Sequence, residues 1–311
     1  PPRSTLFPYT TLFRSGVIEL TNGNYVVASS AWGNGTLLQA GAVTWVNAAD
    51  SSSRVGVVST SNSLVGSKAQ DFVGDRVTAL TNGNYVVASR LWNSEAGVVD
   101  VGAVTWVDGS GNTTTGVGSR IGVVSESNSL VGNTADDHVG SAVTALTNGN
   151  YVTTTKDWDN VGAINAGAVT WGNGTSGTVG TVSATNSLVG SVNSDNVGNG
   201  GIKALSNGNY VVGSAGWDKV DENTTVSNVG AVTWGNGTTG VAGTIDATNS
   251  LVGSTTNDSV GSLPAIELSN GNYIVVSRTW DNGLLNSAGA VTWGNGTSGV
   301  AGTIDASNLI V

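Results

Sequence analysis

Cysteine and methionine are absent from these 311 residues, and histidine occurs once. Without cysteine there are no disulfides, no thiolate metal ligands and no cysteine nucleophile. A single histidine, His138, excludes a His-built metal site or a Ser-His-Asp triad, and its expected place is a solvated loop. Charge is also scarce: only 10% of residues are charged, 11 basic against 21 acidic, for a net −10 and a pI near 4.3. An acidic surface repels phosphate backbones, so nucleic acid is not expected as a partner. No apolar run is long enough for membrane insertion as a helix. Stretches of Ala, Glu, Lys and Leu at helical spacing are missing, and the sequence lacks even a first Met, so it reads as part of a longer frame.

What remains is rich in Gly (46 residues), Asn, Ser, Thr and Val, the composition of short strands joined by tight turns. One phrase organises it: Leu-Thr/Ser-Asn-Gly-Asn-Tyr, ending at Tyr25, Tyr85, Tyr151, Tyr210 and Tyr273, followed seven residues later by Trp32, Trp92, Trp158, Trp217 and Trp280. Each copy continues to Gly-Ala-Val-Thr-Trp, ending at Trp45, Trp106, Trp171, Trp234 and Trp293, and these two sets hold all 10 Trp. So bulky a side chain, placed only at two repeated positions, is a packing element of a repeated unit.

Residues 1–15 stand apart, with three of the four Pro and two of the three Phe. Pro8 and polar residues interrupt any signal-peptide core, and the stretch resembles translated sequencing adapter, a non-native leader. Without Arg3 and Arg14 the balance is 9 against 21, or −12. From residue 16 to 311 the chain reads as a single domain of five repeats, about 16–66, 67–132, 133–190, 191–253 and 254–311.

The unit predicts four strands. A short apolar strand (Val77–Leu80, Val143–Leu146) turns at Asn-Gly, expected as a two-residue type I′ hairpin, into a second (Tyr85–Ser89). Gly-Ala-Val-Thr-Trp is the third, and a Gly-rich turn leads to a fourth at Thr244–Asp246. Asn-Ser-Leu-Val-Gly then opens the loop to the next unit. The expected fold is all-β, a β-propeller of five four-stranded antiparallel blades. The alternative is a parallel β-helix, which requires coils of near-constant length and no hairpin inside the unit.

The order Val73-Gly74, Asn82-Gly83-Asn84, Ala88–Trp92 and Gly102–Trp106 resembles the FG-GAP repeats of integrin-alpha-type propellers, and the likeness covers essentially all of 16–311. The wording also resembles repeats of large secreted, filamentous-haemagglutinin-like bacterial proteins, which implies an extracellular or cell-surface location. In FG-GAP repeats the turn binds calcium through Asp side chains. Here it is Thr/Ser-Asn-Gly-Asn without a carboxylate, so calcium is disfavoured and no cofactor or metal is expected.

The recurrent carboxylates Asp71, Asp137, Asp195 and Asp258, in Asp-x-Val-Gly, are expected to be structural, accepting backbone amides between units. The second Trp of each unit is expected in the core. The first Trp set sits on loops of one face; so large an aromatic area is expected to wedge between blades, the alternative being that, with Asp159, Asp218 and Asp281, it lines a shallow ligand site. No unique acid/base pair is evident, so no catalytic residue and no enzyme activity are expected. The leading expectation is a non-catalytic scaffold or adhesion module meeting a protein or glycan on a cell surface. The alternative is a lectin-like binder that stacks sugars on the ring of first Trp residues.

Overall fold

The computed structural model describes residues 15–50, 56–221 and 224–310. All regular elements among them are β-strands. The leader expected at 1–15 falls outside the described residues except for Ser15, where the first strand opens.

Repeat 2 shows the unit. Arg76–Ala79, Tyr85–Ser89, Ala103–Val107 and Leu130–Val131 pair antiparallel in turn. A fifth strand, Gly180–Thr181 of repeat 3, then joins Leu130–Val131 in parallel. Sheets of the same plan form in repeats 1, 3 and 4, whereas repeat 5 has three strands, Ile266–Glu267, Tyr273–Ser277 and Ala290–Gly294, plus a bridge from Thr292 to Leu309. The longer loop of repeat 4 forms its own hairpin, Lys219–Asp221 with Thr224–Val226.

Three sequence expectations change. The fourth strand of each sheet is the Ser-Leu-Val segment assigned to a loop, as in Ser250–Val252, while the expected fourth strand is the two-residue Gly243–Thr244 that completes the preceding repeat's sheet. Such short runs carry too little periodicity to tell strand from connector. Nor is the Asn-Gly turn type I′. Gly23, Gly83, Gly149, Gly208 and Gly271 have φ between 81° and 92°, but the Asn before each does not have positive φ. Leu20 N–H donates to Asn24 O and Gly23 N–H to Leu20 O, a three-residue loop in which a tight turn is followed by a left-handed Gly. The β-helix alternative fails because, single bridges apart, parallel strand pairing occurs only between repeats, at one edge of the sheets of repeats 1 to 4, and antiparallel hairpins fill every unit.

Burial explains why the second strands lack an alternation of apolar and charged residues. Tyr85–Ser89, Tyr151–Thr155 and Tyr210–Ser214 are buried at every position, whereas Tyr25–Ser29 and Tyr273–Ser277 are fully buried only at alternate residues. Interior sheets are therefore covered on both faces, the end sheets on one. Each of the four apolar clusters spans two consecutive repeats: Leu20, Val26, Trp45 and Leu64 of repeat 1, for example, close over Tyr85, Val87, Trp92 and Val107 of repeat 2.

At every junction three donors of one repeat converge on one carbonyl oxygen of the next. Asn82 Nδ2, Asn84 Nδ2 and Trp106 Nε1 donate to Gly174 O at 2.7, 2.8 and 3.0 Å. Gly109 O, Gly237 O and Gly296 O receive the equivalent trios, including Trp45, Trp171 and Trp234. The acceptor must be Gly: a Cβ on Gly174 would lie 1.7 Å from Gly149 O. The second Trp set is thus at the junctions as well as in the core. Trp293, in the fifth repeat, is 43% exposed.

Trp106→Phe keeps a ring but removes the N–H. Urea unfolding is expected to show a loss of about 0.5–1.5 kcal/mol from the bond, with a further small loss from reduced ring area. Trp293→Phe, in dilute solution, is expected to change stability by less than about 0.5 kcal/mol.

Candidate functional site

The loop face carries the carboxylates that recur in four of the five repeats, Asp71, Asp137, Asp195 and Asp258. Two loops meet there: the one carrying the first Trp, between the second and third strands, and the Asp-x-Val-Gly turn that links one repeat to the next. The turn leans on the preceding repeat, with Val73 N–H donating to Ala40 O, Val139 N–H to Val101 O, Val197 N–H to Ala166 O and Val260 N–H to Val229 O.

Asp71, Asp137, Asp195 and Asp258 are completely buried in these turns. One oxygen of Asp195 accepts the N–H groups of Ser191 and Val192 at 2.8 and 2.9 Å, and the other accepts Asp218 N–H at 2.9 Å. Asp137 is bound in the same way by Asn133, Thr134 and Asp159, and Asp258 by Ser254, Thr255 and Asp281. Asp71 accepts Ser67 and Lys68 N–H groups and both the backbone and side-chain amides of Asn93. Each carboxylate therefore ties its own turn to the following first-Trp loop, as expected for structural acceptors. Burial pushes the Asp137 and Asp195 carboxyls above the usual range, opposed by the N–H groups that favour the charged form.

Asp159, Asp218 and Asp281 do not gather into a binding ring. They brace their own loops, accepting the N–H of Asn165, Asn228 and Ser287 at 2.7, 2.7 and 2.6 Å. Of the two readings of the first Trp set, wedging between repeats and an open ring, burial favours the first for four of its five members. Trp92, Trp158, Trp217 and Trp280 are buried in the junction clusters, and Trp32 alone of the set is half-exposed. Large aromatic area favours the interior, and the preceding repeat supplies that interior: Trp92 packs in the cluster of repeats 1 and 2, and Trp280 in that of repeats 4 and 5. Their buried indole nitrogens meet no protein acceptor, in contrast to the second Trp set.

What stays open on this face is shallow. A depression of about 490 Å³ is lined by Asn133, Thr134, Asp159, Asn160, Ile164 and Asn193, and one of about 300 Å³ includes Lys68, Gln70, Asn93 and Asp100. The structure also places His138, two residues after Asp136, beside Asp100 and Asp157, which sequence spacing does not connect to it. Asp100, Asp136 and His138 each offer a donor atom within 4.8 Å of the others, and His138 Nδ1 lies 3.4 Å from Asp157. The corresponding positions of the next junction are Asn165, Ser194 and Asn196, so this donor set, the one group among the described residues able to hold a cation, does not recur. Burial raises the Asp100 carboxyl, with His138 pulling it back down.

Sequence reasoning missed the Asn pair and the Gly carbonyl that form the junction. The constant Trp-x-x-Gly spacing at Gly109, Gly174, Gly237 and Gly296 was the available signal, as was its loss in repeat 1, where Ala48 takes the place.

A chain in which the sheets of repeats 1 to 4 are each completed by a strand of the next repeat, and each apolar cluster lies between two units, is an all-β tandem-repeat protein. It belongs to the repeat family of unknown function DUF5650, which matches residues 19–75, 79–141, 145–199, 204–262 and 267–311. A comparison with curated proteins finds no match.

Raised carboxyl pKa values mean that the folded chain keeps a proton to higher pH than the unfolded chain. Their contribution to stability is full below the ordinary carboxylate pKa and is lost as pH rises through the raised value. Asp195→Asn exchanges one accepting oxygen for a donor and strands a buried N–H. Urea titrations are expected to show a loss of about 1–3 kcal/mol near neutral pH. The fall in stability from about pH 4 to pH 7 should be shallower in the variant.

Proposed function

We propose that this chain is a non-catalytic scaffold module, built as a propeller-like fan of five blades and working in adhesion or protein interaction outside the cell. The observation that carries this reading is the use to which the recurrent residues are put. Both Trp sets, the Asn pairs and the buried Asp residues are engaged in holding repeats together, which leaves no repeated side-chain set for chemistry. The first strands of repeats 1 to 4 lie against one another in order while the parallel pairings lie at the opposite edges of the sheets, as in blades arranged about an inner edge. The FG-GAP-like order of motifs supports the same reading and, with the low charge and absent cysteine, the surface location.

No calcium is expected at the Asn-Gly turns. The Asn side chains that would have to bind it are already donors to a neighbour, and Asn22 Oδ1, for one, accepts Asn24 N–H. A lectin-like reading keeps one foothold, the half-exposed Trp32.

A glycan array probed with the full chain tests the choice. No glycan is expected to bind. A hit that disappears in Trp32→Ala, with unfolding unchanged, would overturn the scaffold reading in favour of sugar binding.

A further inference from the structure

At each of the four junctions one residue of the first-Trp loop and two of the next repeat's turn share a left-handed backbone, with φ between 44° and 67°. At the second junction these residues are Asp100 in the loop of repeat 2 and Asp136 and His138 in the turn of repeat 3. Backbone bonds fix them to one another: Asp136 N–H donates to Val99 O and His138 N–H to Asp100 O. The same pair of bonds recurs at the third junction, from Ser194 to Ile164 O and from Asn196 to Asn165 O. Side chains at the three positions thus start from a frame that the fold already holds.

The second junction alone fills that frame with ionisable groups. The first carries Gln39, Gln70 and Phe72, and the third Asn165, Ser194 and Asn196. At the fourth, the loop and turn side chains meet directly, Asn228 Nδ2 donating to Asn257 Oδ1 at 3.1 Å. Asp100 and Asp136 hold those two positions at the second junction, and a pair of ionised carboxylates has no proton with which to bridge. A left-handed backbone accepts Asn as well as Asp, so it does not account for two like charges side by side. Among the described residues neither carboxylate accepts a hydrogen bond or pairs with Lys or Arg, whereas the neighbouring Asp137 takes three N–H groups. The third position supplies His138, whose ring brings a nitrogen donor within 4.8 Å of both carboxylates.

We infer that Asp100, Asp136 and His138 bind one divalent transition-metal cation of the zinc class, which ties the first-Trp loop of repeat 2 to the turn of repeat 3. Composition excludes a site built of several histidines, but one imidazole with carboxylates drawn from two repeats is a different donor set. Imidazole with carboxylate suits zinc and its neighbours, whereas calcium takes six to eight oxygens. Three protein donors leave a place for water in a tetrahedral shell. Asp157, 3.4 Å from His138 Nδ1, is positioned to accept the ring proton and hold the imidazole. Asp136 is exposed and Asp100 borders the depression of about 300 Å³, so a cation can enter from solvent. The bound cation would do at this junction what the Asn228–Asn257 bond does at the fourth.

Calorimetric titration of the full chain with zinc chloride tests this, with magnesium and calcium chloride as controls for general attraction to an acidic surface. One zinc per chain is expected, with no saturable binding of the two control cations. The melting temperature should rise with zinc and return to its starting value on adding a chelator. The combined variant Asp100→Asn, Asp136→Ser, His138→Asn installs the residues of the third junction, so it is expected to fold, which near-UV circular dichroism checks, and to lose the site. His138→Asn alone should weaken zinc about tenfold or more. Cobalt(II) in place of zinc should give visible absorption bands that the combined variant lacks. A wild type that binds no zinc would overturn the inference. So would zinc binding that survives unchanged in the combined variant or in His138→Asn, or magnesium bound as tightly as zinc.

Discussion

One carbonyl oxygen per junction, approached by two Asn amides and an indole N–H, determines which residues this sequence can use. The oxygen can be reached only if its own residue lacks a Cβ, which fixes Gly174 and its equivalents. The Asn amides can reach it only from a three-residue turn whose third residue has positive φ, which fixes Gly149 and its equivalents. The indole must arrive from the end of the third strand, which sets the length of Gly-Ala-Val-Thr-Trp. A net hydrogen bond is modest in water, but a buried carbonyl left without partners is expensive. Where the three donors meet the oxygen, the alternative arrangements are excluded as much as the native one is favoured.

The buried Asp turns do the same work at the loop face of the sheets. Asp195 joins Ser191 and Val192 to Asp218 within repeat 4, and the turn so held leans on repeat 3 through Val197 N–H donating to Ala166 O. Between the Asp at one end and the Gly carbonyl at the other lies an apolar cluster to which both repeats contribute. Neighbours are thus held at two ends and along the middle, in a nearest-neighbour array with no core belonging to any unit alone.

The periodicity of Tyr and Trp made the five units, their β class and the Tyr85–Ser89 strand legible, because these depend on local pattern. The buried role of Asp71 and its equivalents was legible too, since a carboxylate in Asp-x-Val-Gly has few other uses. The fourth strand was not, because Leu64–Val65 and Leu130–Val131 are two residues long and acquire strand character only from partners on either side. Burial of the first Trp set between repeats was legible from the size of the ring, but the half-exposure of Trp32 was not, since the cover over each first Trp comes through the fold, from the preceding repeat. The grouping of Asp100 and Asp136 with His138 was hidden for the same reason.

The parallel edge strand has a consequence for the order of events during synthesis. Leu64–Val65, the last strand of the first sheet, waits for Gly122–Val123, which leaves the ribosome 58 residues later. No sheet of this kind can finish until most of its successor has emerged, so maturation trails elongation by about one unit. A growing chain therefore always presents one unfinished edge, and the most recently made repeat is the point at which neighbouring nascent chains could trade strands.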